Sequence, residues 1–75
     1  MNTENLIRMA NDISAFFDSE AGADAPAHIA SHITRFWDPS MRTGIIAQAA
    51  ASEAGFTASA LAAVKLLVPP GPRPL

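Results

Sequence analysis

The chain contains one aspartate–proline pair, at residues 38–39, which lies between two segments rich in helix-forming residues. Pro39 disfavours the α conformation at the residue before it, so a helix that includes Phe36 and Trp37 must end there. The carboxylate of Asp38 can accept backbone N–H groups from the first turn of a new helix, and proline suits the first position of that helix. We therefore predict a sharp corner between two helices, with the single tryptophan of the chain beside it.

Length and composition limit the chain to one small helical domain. With 75 residues and no cysteine, it must form its core without disulfides or thiolate-bound metal. A chain of this size buries only about 60–65% of the surface of its unfolded form, so an isolated monomer is marginally stable. Apolar residues make up 49% of the sequence, but much of this is alanine, which favours helix and buries little area. We predict an all-α fold, a small bundle of three to four short helices.

Charge and hydropathy argue against two classes of partner. The net charge is −2 and the five basic residues are scattered, whereas nucleic-acid-binding proteins concentrate basic residues on one face. No apolar run approaches the roughly 20 residues that a membrane-spanning helix needs. Residues 1–20 carry charges throughout and lack the continuous apolar region of a secretory signal. We therefore expect a soluble, cytoplasmic protein with no nucleic-acid or membrane partner.

Two amphipathic segments precede the corner. Residues 3–18 place apolar side chains at helical spacing on one stripe, which consists of Leu6, Met9, Ala10, Ile13, Phe16 and Phe17. This stripe is either a core-facing surface or a docking face for a partner helix. Residues 19–25 contain Gly22 and two acids and are predicted to form a loop. A second helix then begins at Pro26, with an apolar face of Ile29, Ile33, Phe36 and Trp37.

The second helix also carries two histidines on its other side. His28, His32 and Arg35 are spaced so that they lie on one face. Two imidazoles four residues apart can bind a metal ion, but no cysteine or obvious third ligand stands nearby. We interpret His28 and His32 as surface or interface residues and predict no metal site.

Two further helices are predicted after the corner. The first runs from Pro39 to about residue 51, with four apolar positions: Met41, Ile45, Ile46 and Ala49. Residues 52–57 form a predicted turn, and Thr57 can cap a short fourth helix whose stripe contains Leu61, Val64 and Leu67 or Val68. The prolines of residues 69–75 favour an extended tail. The predicted organisation is a helical domain at residues 1–68 and a proline-rich tail at residues 69–75.

The sequence contains no arrangement typical of an active site. It has no nucleophile with a matching base, no glycine-rich phosphate loop and no pair of carboxylates placed for acid–base catalysis. A bundle this small also has little room to enclose a substrate pocket. The residues alone therefore predict a helical interaction module that is not an enzyme and has no catalytic or cofactor-binding residues.

Two motifs resemble a known family. The motif R-M-A-N-x-I-x-x-F-F lies at residues 8–17, and the motif R-F-W-D-P-x-M-R lies at residues 35–42. Both are similar to the delta subunit of NAD-dependent, molybdenum-containing formate dehydrogenase. The resemblance covers residues 4–47. The central motif is specific for so short a family, whereas the C-terminal third of the chain is generic.

The resemblance implies a non-catalytic accessory subunit of a cytoplasmic bacterial complex that oxidises formate to CO2 and reduces NAD. In such complexes the alpha subunit carries the molybdenum pterin cofactor and iron–sulfur clusters, and the beta and gamma subunits pass electrons to FMN and NAD. The delta subunit binds none of these cofactors and helps to assemble or stabilise the complex. The implied partner is the alpha subunit.

The family motifs and the residue types together indicate seven candidate partner contacts, which are Arg8, Arg35, Phe36, Trp37, Asp38, Met41 and Arg42. Arginine and tryptophan are over-represented among the residues that dominate interface affinity. Two alternatives stay open, since the aromatic pair can instead belong to the core and the arginines can pair locally with Asp12 or Asp38. A second functional hypothesis is a free-standing homodimeric, chaperone-like helical protein whose self-association covers the apolar stripes.

Overall fold

The computed structural model describes residues 3–70, which fold into four α-helices and one short 3₁₀ turn. The helices are α1 (Thr3–Ala21), α2 (Ala25–Phe36), α3 (Pro39–Ala51) and α4 (Ala58–Leu66). Residues 3–70 contain no β-strand, and the predicted all-α bundle is confirmed. Of the predicted proline-rich tail, residues 71–75 lie outside the described residues, so the boundary between domain and tail stays a prediction.

The connection between α1 and α2 is shorter than predicted. Helix α1 continues to Ala21, and only the 3₁₀ turn Gly22–Asp24 separates it from Ala25, where α2 begins. The predicted loop at residues 19–25 is therefore wrong. Gly22 has a φ of 57°, in the left-handed region that glycine adopts without a steric penalty, and it ends α1. The residues on both sides of Gly22 favour helix. The chain therefore needs only this one glycine to turn from α1 into α2.

The core lies where α2 meets α1 and α4, and α3 completes it by packing on α1 and α4. The side chains of Ile29 and Ile33 on α2 and of Ile45 on α3 are fully buried. Helix α4 contributes the small residues Ala60 and Ala63 to its buried face, which allow α2 to approach closely. The other buried apolar residues are Leu6, Ala10, Ala25, Trp37, Val64 and Leu67. The remaining predicted apolar positions of α3 pack against this core, namely Met41, Ile46 and Ala49.

The buried face of α1 is rotated from the predicted stripe. Leu6, Ala10 and Ser14 form its buried line, at a spacing of four residues. Met9 and Phe16 belong to the predicted stripe but are 40% and 61% exposed, so the prediction is wrong for these two residues as core positions. A serine carries no hydrophobic signal, and for that reason the sequence pattern did not indicate the buried position at Ser14.

Gly44 lies where α3 passes α1. A Cβ atom at this position would lie 3.0 Å from Cδ1 of Leu6, which is closer than ordinary van der Waals contact. Leu6 is itself buried, so this contact belongs to the core. Packing between α1 and α3 therefore favours glycine here, although glycine disfavours helix by about 1 kcal/mol relative to alanine.

A set of hydrogen bonds fixes the turn between α3 and α4 against α1. The side-chain amide of Asn11 donates to the carbonyl oxygen of Gly55 at 2.8 Å, and its oxygen accepts the N–H of Thr57 at 2.9 Å. The hydroxyl groups of Thr57 and Ser14 lie 2.7 Å apart and share a hydrogen bond. Thr57 also accepts the N–H of Ala60 at 3.2 Å, which confirms it as the predicted N-cap of α4.

Candidate partner-binding surface

The predicted corner between the second and third helices is present. Helix α2 ends at Phe36, and the side chain of Asp38 caps α3 by accepting the N–H of Met41 at 3.0 Å. Pro39 takes the first position of α3, where its missing N–H has no consequence. The hydroxyl of Ser40 donates a second bond to the Asp38 carboxylate at 2.7 Å. The corner is therefore confirmed both in its boundary and in its capping residue.

These hydrogen bonds stabilise the charged form of Asp38. The bond from the Ser40 hydroxyl, followed by that from the Met41 N–H, lowers the pKa of the Asp38 carboxyl below its ordinary value of 3.8. The positive charge of Arg42 acts in the same direction. A carboxylate at the N-terminal end of a helix also interacts favourably with the helix dipole. Asp38 therefore fixes the start of α3 through partners that belong to α3 itself.

Arg42 stabilises the other side of the corner. Its Nη1 atom donates to the carbonyl oxygen of Trp37 at 2.7 Å and, more weakly, to that of Thr34 at 3.5 Å. These carbonyls lie at the end of α2, where the last backbone acceptors have no partner within the helix. A cation at this end of a helix also complements the helix dipole. Arg42 is therefore paired locally, with backbone carbonyls rather than through a hydrogen bond to Asp38.

The two aromatic residues of the corner have opposite environments. Trp37 is 6% exposed and belongs to the core, whereas Phe36 is 68% exposed. The alternative that both are core residues is therefore correct for Trp37 and wrong for Phe36. A phenylalanine with most of its surface in water gains little from burial within its own chain. Trp37 is thus part of the core at the corner, and Phe36 exposes most of its side chain to solvent.

Phe36 borders a shallow groove between α1 and α2. The groove has a volume of about 150 Å³, and we call it the aromatic groove; its lining residues are Phe17, His28, Ser31, His32, Arg35 and Phe36. The ring of Phe17 stacks on that of His28, with centroids 5.7 Å apart and planes 18° apart. The ring of His32 lies 6.2 Å from that of Phe17 and 4.8 Å from that of Phe36. A continuous row of aromatic rings therefore crosses from α1 to the end of α2.

Phe16 does not line the aromatic groove but contacts Phe17, which does. Its ring meets that of Phe17 edge-on, with centroids 5.1 Å apart and an angle of 82° between the planes. Phe16 and Phe36 are the two exposed phenylalanines within residues 3–70. Exposed aromatic surface of this kind is typical of protein–protein contact sites.

Arg35 differs from the other cations of residues 3–70. Its guanidinium carbon lies 5.6 Å from the centre of the Phe36 ring, within the range of a cation–π contact. Within residues 3–70 its side chain makes no hydrogen bond or ion pair. The other three cations are all paired: Arg8 with the Asn5 side chain, Arg42 with backbone carbonyls, and Lys65 with Glu53. The hydrogen-bond donors of Arg35 therefore have no acceptor within residues 3–70.

The two histidines of the aromatic groove also keep their hydrogen-bonding capacity. Within the described part of the chain, the imidazoles of His28 and His32 contact aromatic rings but make no hydrogen bond. None of the residues that line the groove is acidic. The aromatic groove therefore combines apolar rings with a free cation and two imidazoles, and presents no carboxylate.

The other predicted contacts lie outside the aromatic groove. Arg8 is exposed on α1, and Met41 packs against the core from α3. Of the seven candidates, only Arg35 and Phe36 line the groove. The candidates omitted Phe17, because its position in an apolar stripe indicated a core residue. Phe17 meets the face of α2 that carries the histidines only because α1 packs against α2. The sequence pattern does not specify this packing.

The aromatic groove is small compared with cofactor sites, which typically measure about 300–1,000 Å³. Within residues 3–70, no group of three or more histidine, cysteine, aspartate or glutamate side chains is placed to hold a metal ion. In the same part of the chain, no helix is both long enough and apolar enough to span a membrane.

Comparison with protein families gives a match to most of the chain. The family model of the NADH-dependent formate dehydrogenase delta subunit, FdsD, matches residues 5–64. The chain belongs to this family. The resemblance carried by the two motifs of the delta subunit is thereby confirmed, and the match extends beyond these motifs into α4.

The part of the delta subunit that matches the family includes every residue that lines the aromatic groove, together with the corner at residues 37–42. No curated protein and no solved structure matches this chain.

Proposed function

We propose that this delta subunit is a non-catalytic accessory subunit that assembles or stabilises a cytoplasmic, NAD-dependent formate dehydrogenase. The other subunits carry the reaction, in which formate is oxidised to CO2 and NAD is reduced. Those subunits also hold the molybdenum pterin, the iron–sulfur clusters and the FMN. The alpha subunit is the proposed partner, within a complex that also contains the beta and gamma subunits.

The match to the delta-subunit family supports the choice of enzyme, and the aromatic groove supports a contact role for this chain. Aromatic residues and arginine are enriched at the centre of protein–protein interfaces, and the groove exposes both. A chain of this size is marginally stable alone, and binding to its folded state adds to its stability. A small helical chain with exposed aromatic surface is therefore suited to permanent association with a larger subunit.

Among the predicted contacts, we assign Arg35 and Phe36 to the interface itself. Trp37 and Arg42 act indirectly, because they fix the end of α2 that presents the two contact residues. Asp38 caps the start of α3, the helix that carries Arg42. The two remaining candidates lie outside the aromatic groove and stay predictions: Arg8 and Met41.

An affinity purification tests the proposal. A tagged copy is expressed in the native host grown on formate, and the eluate is analysed by mass spectrometry and assayed for formate-dependent reduction of NAD. We expect stoichiometric recovery of the alpha, beta and gamma subunits, with activity. Recovery of the alpha subunit alone without activity would indicate a maturation chaperone instead. Recovery of only a second copy of the chain would favour the homodimeric alternative and contradict the proposal.

A further inference from the structure

We infer that the aromatic groove binds a segment of another formate dehydrogenase subunit in which a carboxylate lies beside an apolar side chain. This inference rests on the proposed function, because it assigns the segment to a subunit of that enzyme. It adds the chemistry of the contact: an acidic group for Arg35 and an apolar anchor for the aromatic rings.

The carboxylate follows from the state of Arg35. A guanidinium presents its donors in a planar fork that matches the two oxygens of a carboxylate. Among the cations of residues 3–70, Arg35 is the one that makes no hydrogen bond or ion pair within those residues. The lining of the groove contains no acid, so a carboxylate from a partner meets no like charge there. The imidazoles of His28 and His32 offer further hydrogen-bonding groups on the same helix face.

The apolar anchor follows from the rings that border the groove. The His32 ring contacts both Phe17 and Phe36, and Phe36 is 68% exposed despite its contacts with His32 and Arg35. An aliphatic or aromatic side chain placed against these rings removes apolar area from water. The volume of about 150 Å³ accommodates a single side chain, not a cofactor. The occupant is therefore one anchoring residue with an acidic neighbour.

A second copy of this chain is a poorer occupant. In a two-fold symmetric dimer whose axis passes through the groove, the groove of one copy faces the groove of the other. Each groove holds Arg35 and two imidazoles and has no acid, so the contact would bring two guanidinium groups together without a counter-charge. Charge complementarity thus disfavours this groove-to-groove dimer and favours an acidic segment as the occupant.

Photocrosslinking within the intact complex tests this inference. Phe36→benzoylphenylalanine is introduced into a tagged chain that replaces the native copy in the host. The matched control is Ala47→benzoylphenylalanine, because Ala47 is exposed on α3, which packs on α1 and α4. We expect position 36 to crosslink to a formate dehydrogenase subunit, at a peptide that contains aspartate or glutamate beside an apolar residue. The same peptide should not crosslink to position 47.

A charge reversal provides the second measurement. Arg35→Glu places a carboxylate against the partner's carboxylate, and we expect capture of the complex to fall by about tenfold or more. Arg35→Lys keeps the positive charge but lacks the planar guanidinium donors. It should therefore reduce capture of the complex less than Arg35→Glu does. Lys65→Glu makes the same change in net charge on α4 and should leave capture unchanged. Equal far-ultraviolet circular dichroism of the variants controls for folding, because the Arg35 side chain is exposed.

The outcomes separate the inference from the proposed function. If the wild-type chain recovers the enzyme but position 36 gives no crosslink, the inference is wrong and the proposed function stands. The same holds if the crosslinked peptide lacks an acid, if the crosslink joins two copies of this chain, or if Arg35→Glu binds as well as Lys65→Glu. If the wild-type chain recovers no formate dehydrogenase subunit, the proposed function itself fails, and the inference fails with it.

Discussion

Asn11 and Thr57 are 46 positions apart in the sequence and are joined by a 2.9 Å hydrogen bond, from the backbone N–H of Thr57 to the side-chain oxygen of Asn11. The same amide group donates to the carbonyl oxygen of Gly55, so one side chain of α1 satisfies two backbone groups of the turn before α4. Thr57 is in turn the cap of α4, whose small residues pack beneath α2. Asn11 therefore supports, through α4, the helix that carries most of the aromatic groove.

Replacing Asn11 with alanine should lower the free energy of unfolding by about 1–3 kcal/mol, because it removes two hydrogen bonds of about 0.5–1.5 kcal/mol each. Urea denaturation measures this change, and hydrogen exchange should show faster exchange of the amides of α4. Asn5→Ala is the matched control, since Asn5 lies on the same helix and bonds the exposed side chain of Arg8. Its effect should stay within about 0.5 kcal/mol. Equal losses in the two variants would contradict the role assigned to Asn11.

The neighbouring aromatic residues of the corner should respond differently to truncation. Trp37→Ala removes a buried side chain and should cost about 3–5 kcal/mol, which is enough to unfold a marginally stable domain. Phe36→Ala removes a mostly exposed side chain and should change stability by less than about 0.5 kcal/mol. Thermal unfolding followed by circular dichroism compares the two. A similar loss for both variants would mean that Phe36 is buried in solution.

The contact between Gly44 and Leu6 predicts a coupling between substitutions at these positions. Gly44→Ala gains helix propensity of about 1 kcal/mol but brings a methyl group to 3.0 Å from the buried leucine. In a Leu6→Ala background the methyl group finds space, so the same substitution should be stabilising. A double-mutant cycle should give a coupling of at least about 0.5 kcal/mol. Strict additivity would show that packing does not require glycine at position 44.

The pH dependence of the corner follows from Asp38. The hydrogen bonds from Ser40 and Met41 lower its pKa in the folded state below the ordinary value of 3.8, so the unfolded chain binds the proton more readily. The stabilisation from this carboxylate is therefore present above the unfolded pKa and is lost as pH falls through the lower folded pKa. A carbon-13 NMR titration should give a midpoint below 3.8 for Asp38 and a higher midpoint in Ser40→Ala. A midpoint that Ser40→Ala does not raise would assign the shift to another cause.

The parts of this fold that could be predicted from the sequence depend on local chemistry. The caps formed by Asp38 and Thr57 act within three residues of themselves, so their signals are visible in a short window. The connection at residues 19–25 could not be predicted in the same way. A loop was expected there, whereas the chain turns at Gly22, which has a left-handed conformation.

The candidate site depends on which helix faces meet, and for this reason it was only partly predictable. Phe36 is the last residue of α2 and Trp37 has an extended backbone, so which of these two adjacent aromatic residues is buried follows from packing and not from residue type. Phe17 and His28 face each other because α1 and α2 pack together. Asn11 is a polar residue without a local partner, and only the folded chain brings the turn before Thr57 to it.

Deletion of the gene in the native host tests the proposed accessory function most directly. The quantities to measure are formate-dependent NAD reduction and the amount of assembled formate dehydrogenase in cell extracts. We predict that both fall strongly in the deletion strain, that a wild-type copy restores them, and that a copy with Arg35→Glu and Phe36→Ala does not. Full activity and a normal amount of complex in the deletion strain would contradict an assembling or stabilising role for this subunit.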